Sequence, residues 1–141
     1  MKRHLAQAAA LALLLGAAGC ADHGVGTLEP LPDDDGHTHT VSFATDIQPI
    51  FDANCLGCHG AGASAGLDLR AATSYTLLVS AASSGYTGVR VLPGDPHVSV
   101  LYQKLEGDPA TGARMPFGGE ALPPAQRLLI HDWIEQGAHN N

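Results

Sequence analysis

Five consecutive residues, Cys55-Leu56-Gly57-Cys58-His59, constrain this chain more than any other stretch of it. Two cysteines three apart, followed at once by a histidine, form the pattern by which a c-type haem is attached. The chemistry sets the spacing. The two sulfurs add across the two vinyl groups of one haem, so they must stand about one helical turn apart. The histidine after the second cysteine is then carried beneath the iron, where a ring nitrogen serves as the proximal axial ligand. Two other chemistries use a Cys-x-x-Cys pair. A redox dithiol belongs in a thioredoxin-like βαβ setting, and no strand-helix-strand pattern flanks this pair. A structural zinc site wants four ligands, normally a second cysteine pair, and the chain has one further cysteine, Cys20.

Haem is attached outside the bacterial cytoplasm, and the N-terminus supplies the export that this requires. Lys2 and Arg3 precede an apolar run over residues 5–18 that is broken only by Gln7. The run is shorter than the roughly 18–20 residues needed to cross a bilayer. It ends in small residues, Gly16-Ala17-Ala18-Gly19, so residues 1–19 read as a cleaved signal peptide. Cys20 follows directly, and the junction resembles the bacterial lipobox, in which the cysteine becomes an acylated N-terminus. Ala17 stands where that motif usually has Leu, and Ala21 rather than Asp after the cysteine points away from inner-membrane retention. The expectation is an outer-membrane lipoprotein on the periplasmic side, with residues 20–41 as a lipid-anchored flexible tether. Asp33-Asp34-Asp35 in that tether reads as a solvated charge run, and His37 and His39 as an exposed pair with no other ligand type clustered beside them.

Residues 42–141 remain for folding, a hundred residues and therefore one small domain. Aromatic residues make up 5% of the chain, so the core must lean on Leu, Val, Ile and Ala. Seventeen Gly and nine Pro imply many turns and short elements. A core this thin gains from a bound cofactor. The net charge of −7 becomes −9 once Lys2 and Arg3 leave with the signal, and no basic stripe exists anywhere. That excludes nucleic acid as a partner, since phosphate binding needs clustered Lys and Arg. The chain also has no Walker loop, dinucleotide fingerprint or Gly-x-Ser-x-Gly elbow.

Short helices account for most of the pattern. Thr45 and Gln48 make a Thr-x-x-Gln capping box, and Phe43, Ile47, Ile50 and Phe51 follow helical spacing into the Cys motif. Pro49 falls in the first turn of that helix, where a missing donor does least harm. A short helix is expected over 73–80, with 81–91 irregular. Asp95 then reads as an N-cap and Pro96 as the first residue of a helix bearing Val98, Leu101, Tyr102 and Leu105 on one face and ending before Gly107. Residues 107–122 form a Gly-rich loop with Met115 and Pro116 in its middle. A last helix over 124–136 carries Leu129 or Ile130, Trp133 and Ile134 inward, with Pro123 at a poorly capped start and Gly137 at its C-cap.

An iron held by His59 needs a second axial ligand for simple electron transfer. Met115 is the one methionine left after export, 56 residues beyond His59. A methionine in a polar Gly/Pro-rich loop has no packing reason to be there, and its thioether favours ferrous iron. His97 and His131 are the rival ligands and read as surface histidines.

Taken in order, these stretches resemble a class I c-type cytochrome. More narrowly, the chain is similar to small mono-haem domains of exported planctomycete and myxobacterial proteins. The matching stretches are Asp46-Ile47-Gln48-Pro49-Ile50-Phe51, Cys58-His59-Gly60, Gly66-Leu67-Asp68-Leu69, Pro93-Gly94-Asp95-Pro96, Leu101-Tyr102, Arg114-Met115-Pro116 and Trp133-Ile134-Glu135-Gln136-Gly137-Ala138. They span residues 42–139. The resemblance implies an all-α, cytochrome c-like fold of three to four short helices around one covalently bound haem c. First and last helices would cross, and His59 and Met115 would ligate the iron from opposite faces. It implies a monomeric electron carrier between redox partner proteins, not an enzyme, with Arg70, Arg90 and Arg114 available to neutralise haem propionates. Two alternatives stand beside it. A haem-based sensor or peroxidase-like enzyme needs an open iron position; a dihaem peroxidase would need a second Cys-x-x-Cys-His, and cytochromes of the c′ kind carry the motif near the C-terminus. A haem-free structural lipoprotein would instead hold a Cys55–Cys58 disulfide.

Overall fold

A computed structural model describes residues 39–141; residues 1–38, which include the expected signal peptide, Cys20, His37 and most of the expected tether, lie outside the described residues. The expected first helix begins earlier than its capping box. A π-helical turn, Phe43–Ile47, runs straight into α1, Gln48–Asn54. Its cap is Ser42, whose Oγ accepts from the Thr45 amide while Asp46 Oδ2 accepts from the Ser42 amide at 2.8 Å. Thr45 and Gln48 therefore do not form the box that their spacing suggests. The widened turn ends beside Pro49, which has no N–H to continue a regular ladder.

Gln48 is spent inside the domain instead. Its amide nitrogen donates to the Leu69 carbonyl and to Asp52, both at 2.8 Å, and its amide oxygen accepts from Ser74 Oγ at 2.6 Å. A buried side-chain amide with its groups paired is cheap to bury and ties three segments together. Helix α2, Leu56–His59, follows α1 with an interruption only at Cys55. A 3-10 turn, Ser64–Gly66, leads to α3, Ser74–Leu78, shorter at both ends than expected.

The stretch over 81–91 is more ordered than its composition suggests. Val79 bridges Val91 and Ala82 bridges Val89, and the Arg90 amide donates to the Ala81 carbonyl at 2.8 Å. This narrow seam then caps α4, Val100–Glu106: the Val100 and Leu101 amides donate to the Val89 and Arg90 carbonyls. Those are two of the orphan donors that every helix start leaves. Asp95 caps only the turn before α4, through the Val98 amide, so the helix starts four residues later than Pro96 would place it. Gly107, at φ +78, ends α4 in the left-handed conformation that a C-cap glycine adopts without steric cost.

A second 3-10 turn, Pro109–Thr111, precedes the Met115 loop, and α5, Pro124–Glu135, closes the domain. As expected, Pro123 gives α5 no side-chain cap, and Gly137 sits just past its end at φ +102. Ile130, Trp133 and Ile134 are wholly buried. Trp133 lies 5.2 Å from the Phe43 ring, and Phe43 lies 5.3 Å from Tyr75 and 6.3 Å from Phe51. These aromatic contacts join α5 to the first turn and to α3, and concentrate a scarce residue type where the core needs bulk. Val41, which the expected tether includes, is buried in the core, and residues 41–44 are sewn to the other end of the chain. Ala44 and Phe43 amides donate to the Asn141 carbonyl and side chain, and the Val41 amide donates to Gln136. Five short α-helices thus stand where three to four are expected, and among the described residues the only extended pairing is in isolated bridges. No described helix is long and apolar enough to cross a membrane.

Candidate functional site

Helix α2 has four residues, and the chain around it is fixed from both sides. The His59 amide donates to the Cys55 carbonyl at 2.8 Å, which closes one turn over the motif. Gly60 ends that turn against the backbone: a Cβ there would meet the Leu56 carbonyl oxygen at 2.6 Å. The Leu69 amide donates back to the His59 carbonyl at 2.6 Å, and Leu69 is itself held by Gln48. Local sequence thus presents Cys55, Cys58 and His59 on one short, braced turn.

That turn forms one wall of a cavity of about 560 Å³. Pockets that enclose small molecules and cofactors run from about 300 to 1,000 Å³. Leu67, Leu69, Leu78, Val100, Leu101 and Leu105 supply apolar walls from three separate segments, the 67–69 stretch, α3 and α4. Met115 completes the lining from the loop before α5. All four sequence-predicted site residues of the folded part, Cys55, Cys58, His59 and Met115, therefore line one cavity.

Each of the four has a definite state. Cys55 is half-buried and Cys58 exposed, and both are free thiols. Burial pushes the Cys55 thiol from 9.0 up to about 11, so at neutral pH it carries its proton. His59 Nδ1 lies 3.3 Å from the Leu67 carbonyl oxygen. A carbonyl only accepts, so this contact places the ring proton on Nδ1 and leaves the lone pair on Nε2. Metal-binding histidines are oriented by such a bond from the other ring nitrogen. Met115 is half-buried, and its amide donates to the Lys104 carbonyl at 2.9 Å.

The three expected arginines separate. Arg70 is held by Asp68, with Nη2 2.6 Å from Oδ2, and does not line the cavity. That pairing pulls the Asp68 carboxyl down to about 2 from 3.8 and raises the Arg70 guanidinium further. Arg114 packs its stem against Gly107, reaches the Gly119 carbonyl at 3.3 Å, and also stays out of the lining. Arg90 does line it, bonded to the carbonyls of Leu77, Ala65 and Gly66. The rival ligands stand elsewhere. His97 and His131 form a ring cluster with Tyr102, 5.7 Å apart, and neither reaches the cavity. His39 sits 3.6 Å from Asp46 at the surface.

Sequence reasoning missed Tyr86, Lys104 and Phe117, which also line the cavity. Lys104 had a usable signal, since it falls three residues after Leu101, on the face that Leu105 shares. Tyr86 had none, because its position depends on the Val79–Val91 seam. Phe117, 75% exposed next to Pro116, is a large apolar side chain at the margin of an apolar cavity. No family profile, no curated protein and no solved structure matches this chain.

Proposed function

We propose that the domain is an exported mono-haem c-type cytochrome that carries electrons between redox partner proteins, with an all-α, cytochrome c-like fold. One observation carries the reading: Met115, 56 residues from His59 in sequence, lines the same cavity as Cys55, Cys58 and His59. A thiol pair, an imidazole with its lone pair on Nε2 and a thioether, set among leucines, are the donor set that covalently held haem requires.

Bound haem would supply one-electron chemistry at its iron. The chain's own residues do the rest. Cys55 and Cys58 would hold the group covalently, each adding its S–H across a vinyl C=C, sulfur to one carbon and hydrogen to the other, with no oxidant consumed. The Leu67 carbonyl keeps the His59 proton on Nδ1 and holds Nε2 ready to donate. Met115 would offer its thioether to the iron and so keep small ligands off it, which favours electron transfer over gas binding or peroxide chemistry. The leucine and valine walls would surround the group with apolar side chains. The same reading places the domain outside the cytoplasm as a monomer on a lipidated Cys20 tether.

A visible spectrum of the exported protein tests this. Haem that stays on the polypeptide through acid–acetone extraction, and is lost in Cys58→Ala, is the expected result. The ferric protein should show the weak long-wavelength band of a thioether ligand, and Met115→Ala should abolish it, lower the potential and admit carbon monoxide. A wild-type ferrous form that already takes up carbon monoxide readily would mean an open iron and a sensor or enzyme instead.

A further inference from the structure

Met115 sits in a Gly-rich loop, and loops of that composition do not hold a side chain still by themselves. Lys104, in the last turn of α4, does the holding. An ammonium has three N–H donors. Lys104 uses all three, on the Thr111 carbonyl at 2.6 Å, the Ala113 carbonyl at 3.1 Å and the Tyr86 hydroxyl at 3.1 Å. Its backbone carbonyl accepts from the Met115 amide at 2.9 Å. One residue thus grips the loop at three alternate positions, 111, 113 and 115, the last being the one whose side chain lines the cavity.

The surroundings are built for that grip. Lys104 has no carboxylate partner among the described residues, so its charge goes into carbonyls and a phenol. Hydrogen bonds from a charged donor are roughly twice as strong as neutral ones. The ammonium also lies 4.6 Å from the centre of the Tyr86 ring, a cation–π distance. Gly112, between two of the gripped positions, has φ +73, and a Cβ there would come within 3.1 Å of the Tyr86 hydroxyl. Glycine at 112 lets the loop pass the tyrosine that completes the lysine's bonding.

We propose that Lys104 is a positioning residue for Met115: its three-way ammonium clamp, completed by Tyr86, sets where the thioether stands in the cavity. The inference rests on the ligation proposed above, and the test separates the two. In the haem-loaded, full-length protein, Lys104→Leu keeps an apolar stem, removes the ammonium and adds no iron ligand to the cavity. Losing hydrogen bonds of a charged donor should shift local opening by about tenfold or more. The ferric thioether band should therefore fade, carbon monoxide uptake by the ferrous form should accelerate by about that factor, and the Met115 amide should exchange its hydrogen correspondingly faster. A mere stabilising role would lower the melting temperature and leave band and uptake unchanged below it, and that result overturns the proposal. If wild type itself lacks the band, it is Met115 ligation that has failed. Amide exchange at Met115 then decides the clamp alone, and equal rates in wild type and variant overturn it. Should Lys104→Leu not fold, Tyr86→Phe removes a single acceptor; a severalfold faster Met115 exchange supports the clamp, and an unchanged rate refutes it.

Discussion

Gly60→Ala tests one of the close approaches that shape the Cys turn. The new Cβ would lie 2.6 Å from the Leu56 carbonyl oxygen, and real Cβ atoms essentially never come within 3.0 Å of a neighbour. The carbonyl would have to retreat by at least 0.4 Å, and it belongs to the backbone of α2 rather than to a pliant side chain. Overpacking of this kind costs about 1–3 kcal/mol. For a domain of this length each kcal/mol moves the melting point by about 4–8 °C, so a drop of about 5–20 °C is expected. Gly57 is the internal control. It lies within α2, nothing stands within 4 Å of its would-be Cβ, and Ala is preferred to Gly in a helix by about 0.5–1 kcal/mol. Gly57→Ala should melt with wild type or slightly above it. Thermal unfolding followed by circular dichroism reads both variants, and covalently bound haem per polypeptide gives the chemical consequence, which should fall in Gly60→Ala. If Gly60→Ala melts with wild type, or Gly57→Ala loses as much as Gly60→Ala, the backbone contact does not brace the turn.

Two further outcomes are expected. The Asp68 carboxyl, held at about 2 against an ordinary 3.8 by Arg70, contributes stability that is complete above the higher value and is withdrawn as pH falls toward the lower. Urea midpoints between pH 4 and pH 2 should therefore fall less steeply with acid in Asp68→Asn than in wild type, and parallel curves would remove Asp68 from the acid response. Cys20→Ser should move the protein from the membrane fraction to the soluble one, and unchanged fractionation would point to ordinary signal cleavage.

What could be read from the sequence was what depends on near neighbours. The Cys-x-x-Cys-His turn, the inward face of Ile130, Trp133 and Ile134, and the glycine stops at 107 and 137 follow from spacing and backbone freedom. Met115 was singled out as the one methionine beyond Met1, and its place in the cavity lining depends on contacts that spacing does not show. Gln48 was misread because its spacing from Thr45 fits a cap, while its partners Leu69 and Ser74 lie 21 and 26 residues away. The start of α4 was misplaced for a like reason: its first amides are satisfied by the carbonyls of Val89 and Arg90, which no local capping rule foresees. Arg90 and Arg70 are equivalent in sequence, and only the Asp68 pairing, two residues from Arg70, tells them apart.

The seam between residues 41–44 and the end of α5 also fixes an order of events. Its hydrogen bonds join residues 95 to 100 apart in sequence. In a chain made from its N-terminus, Val41 to Ala44 must wait for almost the whole domain before their partners arrive. Cys55 and Cys58 are made early in that interval, ahead of both the Met115 loop and Trp133. Until residues 136–141 arrive the seam stays open, so the two ends of the domain are joined last.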